Sequence, residues 1–146
     1  MKLVIQRVKK SNLKIDGIDF SSIDHGMVVL IGISKHDDSI SLNKIVSKLS
    51  KLRIFNDEFG KMNKNINDIN GEIMVVSQFT LYANTKKGNR PSFIDAANPE
   101  KAIQIYQNFI DELQTVINTK IKTGKFGADM KIQLINDGPV TIILEN

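Results

Sequence analysis

The chain has 146 residues, 41% of them hydrophobic, no cysteine, and a formal net charge of +4 from 20 Lys and Arg against 16 Asp and Glu. Its length suits one domain spanning residues 1–146, and the missing cysteines exclude disulfides, thiolate metal sites and cysteine nucleophiles while fitting a reducing cytoplasm. No apolar run approaches the roughly 20 residues of a membrane-spanning helix, and MKLVIQRVKK lacks a signal peptide's long apolar core, so a soluble, unprocessed, cytoplasmic protein with no membrane partner is expected.

In chain order, Leu3–Val8 reads as a strand and Leu13–Phe20 as a hairpin turning at Asp16-Gly17. The uninterrupted, β-branched run Met27–Ile33 predicts a strand buried on both faces. From Ser39 to about Leu52, apolar Leu42, Ile45, Val46, Leu49 and Leu52 recur at helical spacing, with Asp38, Ser39 or Ser41 available as N-cap. Asn56–Gly60 and the Asn-rich segment Asn63–Asn70 are turns, followed by a strand from Ile73 to about Thr80. A second helix is capped by Asn98, starts at Pro99 and runs to about Asn118. Its expected apolar stripe is Ala102, Ile103, Tyr106, Phe109, Ile110, Leu113, Val116 and Ile117. Two further strands flank Gly138-Pro139. Two helices among about seven strands, without regular βαβ alternation, argue for an α+β domain of mostly antiparallel sheets with the helices on one side.

Familiar catalytic machinery is missing. His25 and His36 have no metal-ligand partner at helical or hairpin spacing and read as surface residues, so no metal is expected. There is no GxSxG elbow, Walker loop or dinucleotide fingerprint, and no cofactor is indicated. The pairs Asp37-Asp38 and Asp57-Glu58 lie in polar segments where caps and turns explain them.

What remains is polar residues in apolar surroundings. Ser77-Gln78-Phe79-Thr80-Leu81 continues an apolar run, and strand alternation would send Gln78 and Thr80 to one face and Phe79 to the other. From pattern alone, a strand leaving the core with ordinary cross-strand hydrogen bonds is the preferred reading over a binding site. Lys86, Lys87 and Arg90 cluster around Gly88, and Lys120, Lys122 and Lys125 flank Gly124; each cluster is either solvated surface or a phosphate-following loop. Gly138-Pro139 interrupts the last apolar stretch. Proline cannot donate a ladder hydrogen bond, so the pair marks a hairpin turn, a sheet edge or a functional element.

Taken together, SQFTL at Ser77–Leu81, KGNRPSF at Lys87–Phe93, GKFGADM at Gly124–Met130 and NDGPVT at Asn136–Thr141 resemble the D-aminoacyl-tRNA deacylases. IQRV at Ile5–Val8 and LRIFNDEFGKMN at Leu52–Asn63 extend the resemblance over essentially the whole chain. It implies a three-layer sandwich of sheets and helices, a homodimer with active sites at the subunit interface, and hydrolysis of the ester joining a D-amino acid, or glycine, to the terminal adenosine of tRNA. Thr80, Gln78 and Phe79 take the catalytic positions, with Ser77, Leu81, Phe126, Ala128 and Met130 lining the pocket. Gly138 and Pro139 become a Gly-cisPro pair inserted from the partner subunit, whose carbonyls would exclude L side chains by clash. Lys86, Lys87 and Arg90 would contact tRNA. Asn89, where many relatives have a basic residue, and the Asn-rich Lys64–Asp68 segment are the departures.

The missing triad fits this picture. An aminoacyl ester is already activated, so backbone N–H groups that stabilise the oxyanion and a positioned water suffice, with the ribose hydroxyl assisting and Thr80 orienting. The rival readings are a non-catalytic tRNA- or RNA-binding module using Phe79, Tyr82 and Phe93 for stacking, and a small-molecule hydrolase or structural dimer using the same fold differently.

Overall fold

The computed structural model describes residues 1–38 and 42–145. The elements run β1 (Lys2–Ile15), β2 (Ile18–Ile23), β3 (Gly26–Gly32), α1 (Leu42–Ser50), β4 (Phe55–Asn56), β5 (Met62–Lys64), β6 (Glu72–Ser77), a 3-10 turn (Phe79–Tyr82), α2 (Pro99–Gln114), β7 (Lys122–Thr123) and β8 (Met130–Glu145).

β1 organises the sheet. Leu3–Val8 and Leu13–Ile15, read separately from the sequence, belong to this one 14-residue strand. Asp16 at φ 53° and Gly17 at φ 79° reverse the chain in the expected hairpin. Residues 11–15 of β1 pair with β2, and residues 2–8 pair antiparallel with β3. β8 pairs antiparallel along the whole of β1. β3 then pairs with β6, and β6 with β7, both in parallel.

Two cores lie on opposite faces of β3. Met27, Val29 and Ile31 join Leu3, Ile5, Ile73 and Val75 against the buried stripes of α1 and α2. Val28 faces the other way, onto Val8, Leu13, Ile23, Met74 and Val76, where the distal half of the β1–β2–β8 ribbon folds over the sheet. Helices, central sheet and folded-over sheet make three layers, and the period-2 alternation of β3 places it between the two apolar interiors.

The helices depart from their predicted limits for local reasons. Asn98 accepts the N–H of Lys101 at 2.9 Å and Pro99 occupies the first turn, as the sequence implied; this cap contributes about 1 kcal/mol. The helix stops at Gln114, because the Thr115 backbone N–H bonds back to Glu112 and Leu113. Its buried stripe is Ala102, Ile105, Tyr106, Phe109 and Leu113, while Ile103 and Val116 are exposed. Leu42, Ile45, Val46 and Leu49 of α1 are buried as predicted, Leu52 lies beyond its end, and the cap candidates Ser39 and Ser41 fall outside the described residues. Of Asn56–Gly60, read as a turn, Asp57–Gly60 is the bend of the small β4–β5 hairpin while Asn56 belongs to β4, and Asn63 and Lys64, also read as turn, belong to β5. Among the described residues, no helix is long and apolar enough to cross a membrane.

Candidate functional site

The strand predicted to reach Thr80 ends at Ser77. The Gln78 N–H donates to the Ile31 carbonyl at 2.7 Å, the last link to β3, and the chain then coils into the 3-10 turn. Coiling is possible because residue 32 has no side chain: a Cβ on Gly32 would lie 2.9 Å from the Leu81 Cβ and 3.1 Å from the Gln78 carbonyl oxygen. The expected alternation of Gln78 and Thr80 against Phe79 is therefore replaced by a compact loop in which the Gln78 amide donates to the Thr80 hydroxyl. Phe79 and Thr80 are both exposed, and Gln78 makes no side-chain cap at the start of the turn.

Two other segments gather at this end of β6. The loop carrying Lys86, Lys87 and Arg90 is closed at its root by paired backbone bonds between Asn84 and Ser92, at 2.8 and 3.0 Å, and bends at Gly88 with φ 71°. Phe93, just past the root, meets Phe79 edge to face with ring centroids 5.1 Å apart, which fastens the basic loop to the 3-10 turn. On the other side the Gly124 N–H donates to the Val75 carbonyl at 3.0 Å, and the Phe126 ring lies 5.8 Å from that of Tyr106. The Ala128 N–H closes a turn onto Lys125, and Met130 opens β8 against the second core. Burial raises the Tyr106 hydroxyl to about 12, so it stays protonated and donates to the Val75 carbonyl at 2.9 Å. Tyr82 is also raised to about 12, first by burial and then by the negative charges of Asp37 and Glu145.

Gly138 and Pro139 sit elsewhere. They are not a hairpin turn between two strands, because both flanks pair with β1 in the same direction: Asn136 lies opposite Val8 and Thr141 opposite Gln6. One residue of β1, Arg7, therefore faces four of β8, and Asp137–Val140 bulges from the edge of the sheet. The Asn136 side chain closes the bulge by accepting the Val140 N–H at 2.8 Å. Arg7, only 6% exposed, braces it from behind. Its Nε donates to the Asp137 carbonyl at 2.9 Å and its Nη1 to the Ile54 carbonyl at 2.7 Å and the Asn56 Oδ1 at 3.1 Å. Gly138 has φ 130° and no room for a side chain, since a Cβ there would meet the Arg7 Nη2 at 2.9 Å; the Gly138–Pro139 bond is cis. Arg7 falls within the IQRV match, but its bracing role is not legible there, because a single arginine in an apolar strand does not show which distant acceptors it will meet.

Ladder register separates the bulge from the 3-10 turn within one chain. Ser77 is level with Ile31 and Leu3, whereas the bulge is level with Arg7, four residues further along β1 and three ladders across, roughly 20 Å away by strand spacing. His25 and His36 are exposed, as expected.

The residue profile of the family described as D-Tyr-tRNA(Tyr) deacylase matches residues 4–145. Proteins named D-aminoacyl-tRNA deacylase from Cytophaga hutchinsonii and Flavobacterium psychrophilum are each 53% identical, over 100% of this chain and 97% of their own. A solved structure named "c-Myc DNA Unwinding Element Binding Protein" superposes with a TM-score of 0.95 at 43% identity, covering 100% of this chain and 99% of that one. A second, described as a "probable eukaryotic D-amino acid tRNA deacylase", reaches 0.84 at 15% identity over 98% and 97%, a likeness of fold alone. This chain belongs to the D-Tyr-tRNA(Tyr) deacylase family, hydrolases of the ester bond of D-aminoacyl-tRNA.

Proposed function

We propose that this chain hydrolyses D-aminoacyl-tRNA and glycyl-tRNA and spares L-aminoacyl-tRNA, with each pocket built from two copies of the chain. Water adds to the ester carbonyl, the bond to the ribose oxygen breaks, and that oxygen takes a proton as the free amino acid and tRNA separate. Stabilising the transient oxyanion needs donors that are already in place, and the start of a 3-10 turn presents backbone N–H groups with no partner inside the turn. The observation that carries this reading is the form of residues 77–82: a turn with no side-chain cap that exposes Phe79 and Thr80, in which Thr80 is held by Gln78. Thr80 and Gln78 then orient water, Phe79 forms a wall, and Ser77, Leu81, Phe126, Ala128 and Met130 complete the lining. Lys86, Lys87 and Arg90 bind the tRNA backbone.

The separation of about 20 Å in one chain supports the two-copy arrangement. Gly138 and Pro139 reach an aminoacyl group beside Thr80 only from a second subunit, where their backbone excludes an L side chain. A homodimer with two such interface sites follows, acting where charged tRNA is found, in the cytoplasm. Incubating the purified protein with D-tyrosyl-, glycyl- and L-tyrosyl-tRNA tests the reaction. Release of D-tyrosine and glycine with L-tyrosine retained is expected; equal release of all three contradicts the stereochemical claim. A second reading, nucleic-acid binding without turnover, is favoured by the neighbour at 43% identity, which is named for binding a DNA unwinding element, and it predicts retardation of tRNA with no release at all.

A further inference from the structure

The 137–140 bulge is clamped across its mouth as well as braced from behind by Arg7. Between the rungs Gln6–Thr141 and Val8–Asn136, β1 advances from 6 to 8, roughly 7 Å at strand spacing, while β8 runs from 136 to 141. The surplus chain has to loop out, which brings the residues at its two ends within side-chain reach of each other. Asn136 Nδ2 donates to Thr141 Oγ1 at 3.1 Å. The same hydroxyl oxygen accepts from Gln6 Nε2 at 3.4 Å, which returns the network to the β1 residue opposite Thr141.

Both ends of the Asn136 amide are engaged, because its Oδ1 accepts the Val140 N–H at 2.8 Å. Pro139 has no N–H to offer, and Gly138 lies against Arg7 with no room for a side chain. The segment is thus anchored at its entry, where Arg7 Nε meets the Asp137 carbonyl at 2.9 Å, and at its exit, where Asn136 takes the Val140 N–H. One anchor would leave the Gly138 and Pro139 carbonyls free to swing about it; two fix them. The bond between Asn136 and Thr141 is exposed, where water competes for the same groups, so it adds little to global stability. Its effect is on the position of the loop.

We propose that Asn136 and Thr141 are positioning residues for stereochemical selection, holding the Gly138 and Pro139 carbonyls where an L side chain meets them and a D side chain does not. This rests on the deacylase reading, which supplies the selection. Neither residue touches the ester; both act through the backbone between them. Rejection by clash needs a wall that cannot yield, since discrimination is the difference between two affinities and a wall that gives way admits the competitor.

The test compares release of L- and D-tyrosine from the two charged tRNAs by the full chain. Tm is followed by thermal denaturation, and exchange of the Val140 amide hydrogen by NMR. Asn136→Leu, similar in size but without either hydrogen bond, should raise the L-to-D ratio of kcat/KM about tenfold and open Val140 to fast exchange. Asn136→Asp should keep both near the wild type: its carboxylate still accepts the Val140 N–H, and the Thr141 hydroxyl turns to donate to it. General loss of structure lowers both rates together and leaves their ratio unmoved, so rescue by aspartate separates positioning from stability. Thr141→Val breaks only the clamp and should raise the ratio by a smaller factor; where Asn136→Leu does not fold, this variant carries the test. An unchanged ratio in folded Asn136→Leu or in Thr141→Val, or an aspartate variant as permissive as the leucine one, overturns the proposal. No release of D-tyrosine by the wild type contradicts the deacylase reading instead, and equal Val140 exchange in wild type and Asn136→Leu overturns the clamp in either case.

Discussion

Arg7 in β1 donates its Nε hydrogen to the carbonyl of Asp137 at 2.9 Å, across 130 residues of sequence, while its Nη1 reaches Ile54 and Asn56 on the opposite side. One buried guanidinium thus joins the 137–140 bulge to the approach and first strand of the β4–β5 hairpin. Planar, fixed donors suit Arg for this role better than lysine, whose single ammonium cannot span three acceptors so placed.

Replacing Arg7 by Met keeps the apolar stem and removes the donors. The buried acceptor at Ile54 and the half-buried one at Asp137 would lose their partner, a destabilisation of about 3 kcal/mol, and thermal denaturation should show a lowered Tm. With the bulge unbraced, the surviving enzyme should release L-tyrosine from L-tyrosyl-tRNA faster relative to D-tyrosine. A variant with wild-type discrimination argues that the bulge is held, or selection is made, by something else.

Gly32 makes a separate prediction about the 3-10 turn. In Gly32→Ala the new methyl meets Leu81 and Gln78 at distances that force the turn to shift, while the strand itself tolerates alanine. Misplacement of about 1 Å at reacting groups costs on the order of a hundredfold, so kcat should fall far more than KM rises, with a stability loss of about 1–3 kcal/mol from overpacking. Unchanged kcat in a folded variant contradicts the placement of the chemistry at residues 78–80.

Phe93→Ala removes the edge-to-face contact with Phe79, worth about 1 kcal/mol. The basic loop should then move independently of the turn. The expected signature is a several-fold rise in KM for charged tRNA with a smaller change in kcat; a selective loss of kcat would place Phe93 in the pocket instead.

The chain's two tyrosines, Tyr82 and Tyr106, are both raised to about 12. A neutral phenol favoured by the fold adds stability that is complete below the unfolded value of about 10 and is lost as pH rises through about 12. Phenolate absorbance of the native protein should therefore lag that of the unfolded chain, and stability should decline across this alkaline window. Tyr106→Phe should cost about 1 kcal/mol at neutral pH, through the lost bond to Val75, and shrink the alkaline decline. Native titration near 10 for both residues contradicts the burial described.

Elements specified by near neighbours were legible in the sequence. The strand within Met27–Ile33 buried on both faces, the Asp16-Gly17 turn and the Asn98-Pro99 cap each follow from a few adjacent residues, and each is found, the strand ending at Gly32. The misses depend on distant contacts. Ser77–Leu81 has strand-like residues, and its coiling depends on the missing side chain at Gly32. A hairpin and a bulged strand both read as two apolar runs around Gly138-Pro139; Arg7 and the pairing with β1 separate them. Ile103 and Ile105 are the same residue type, and packing against the core decides which is buried. The family was legible because SQFTL, KGNRPSF, GKFGADM and NDGPVT occur together in register, not because any one of them reveals its chemistry alone.

A functional pocket, on the two-copy reading, needs the 3-10 turn of one chain and the 137–140 bulge of another. The decisive measurement is D-tyrosyl-tRNA deacylation per chain over a dilution series, with the oligomeric state followed in parallel by analytical ultracentrifugation. Specific activity and D-over-L discrimination should fall together with the fraction of dimer. Full activity with intact discrimination in samples that sediment as monomer would refute the shared pocket.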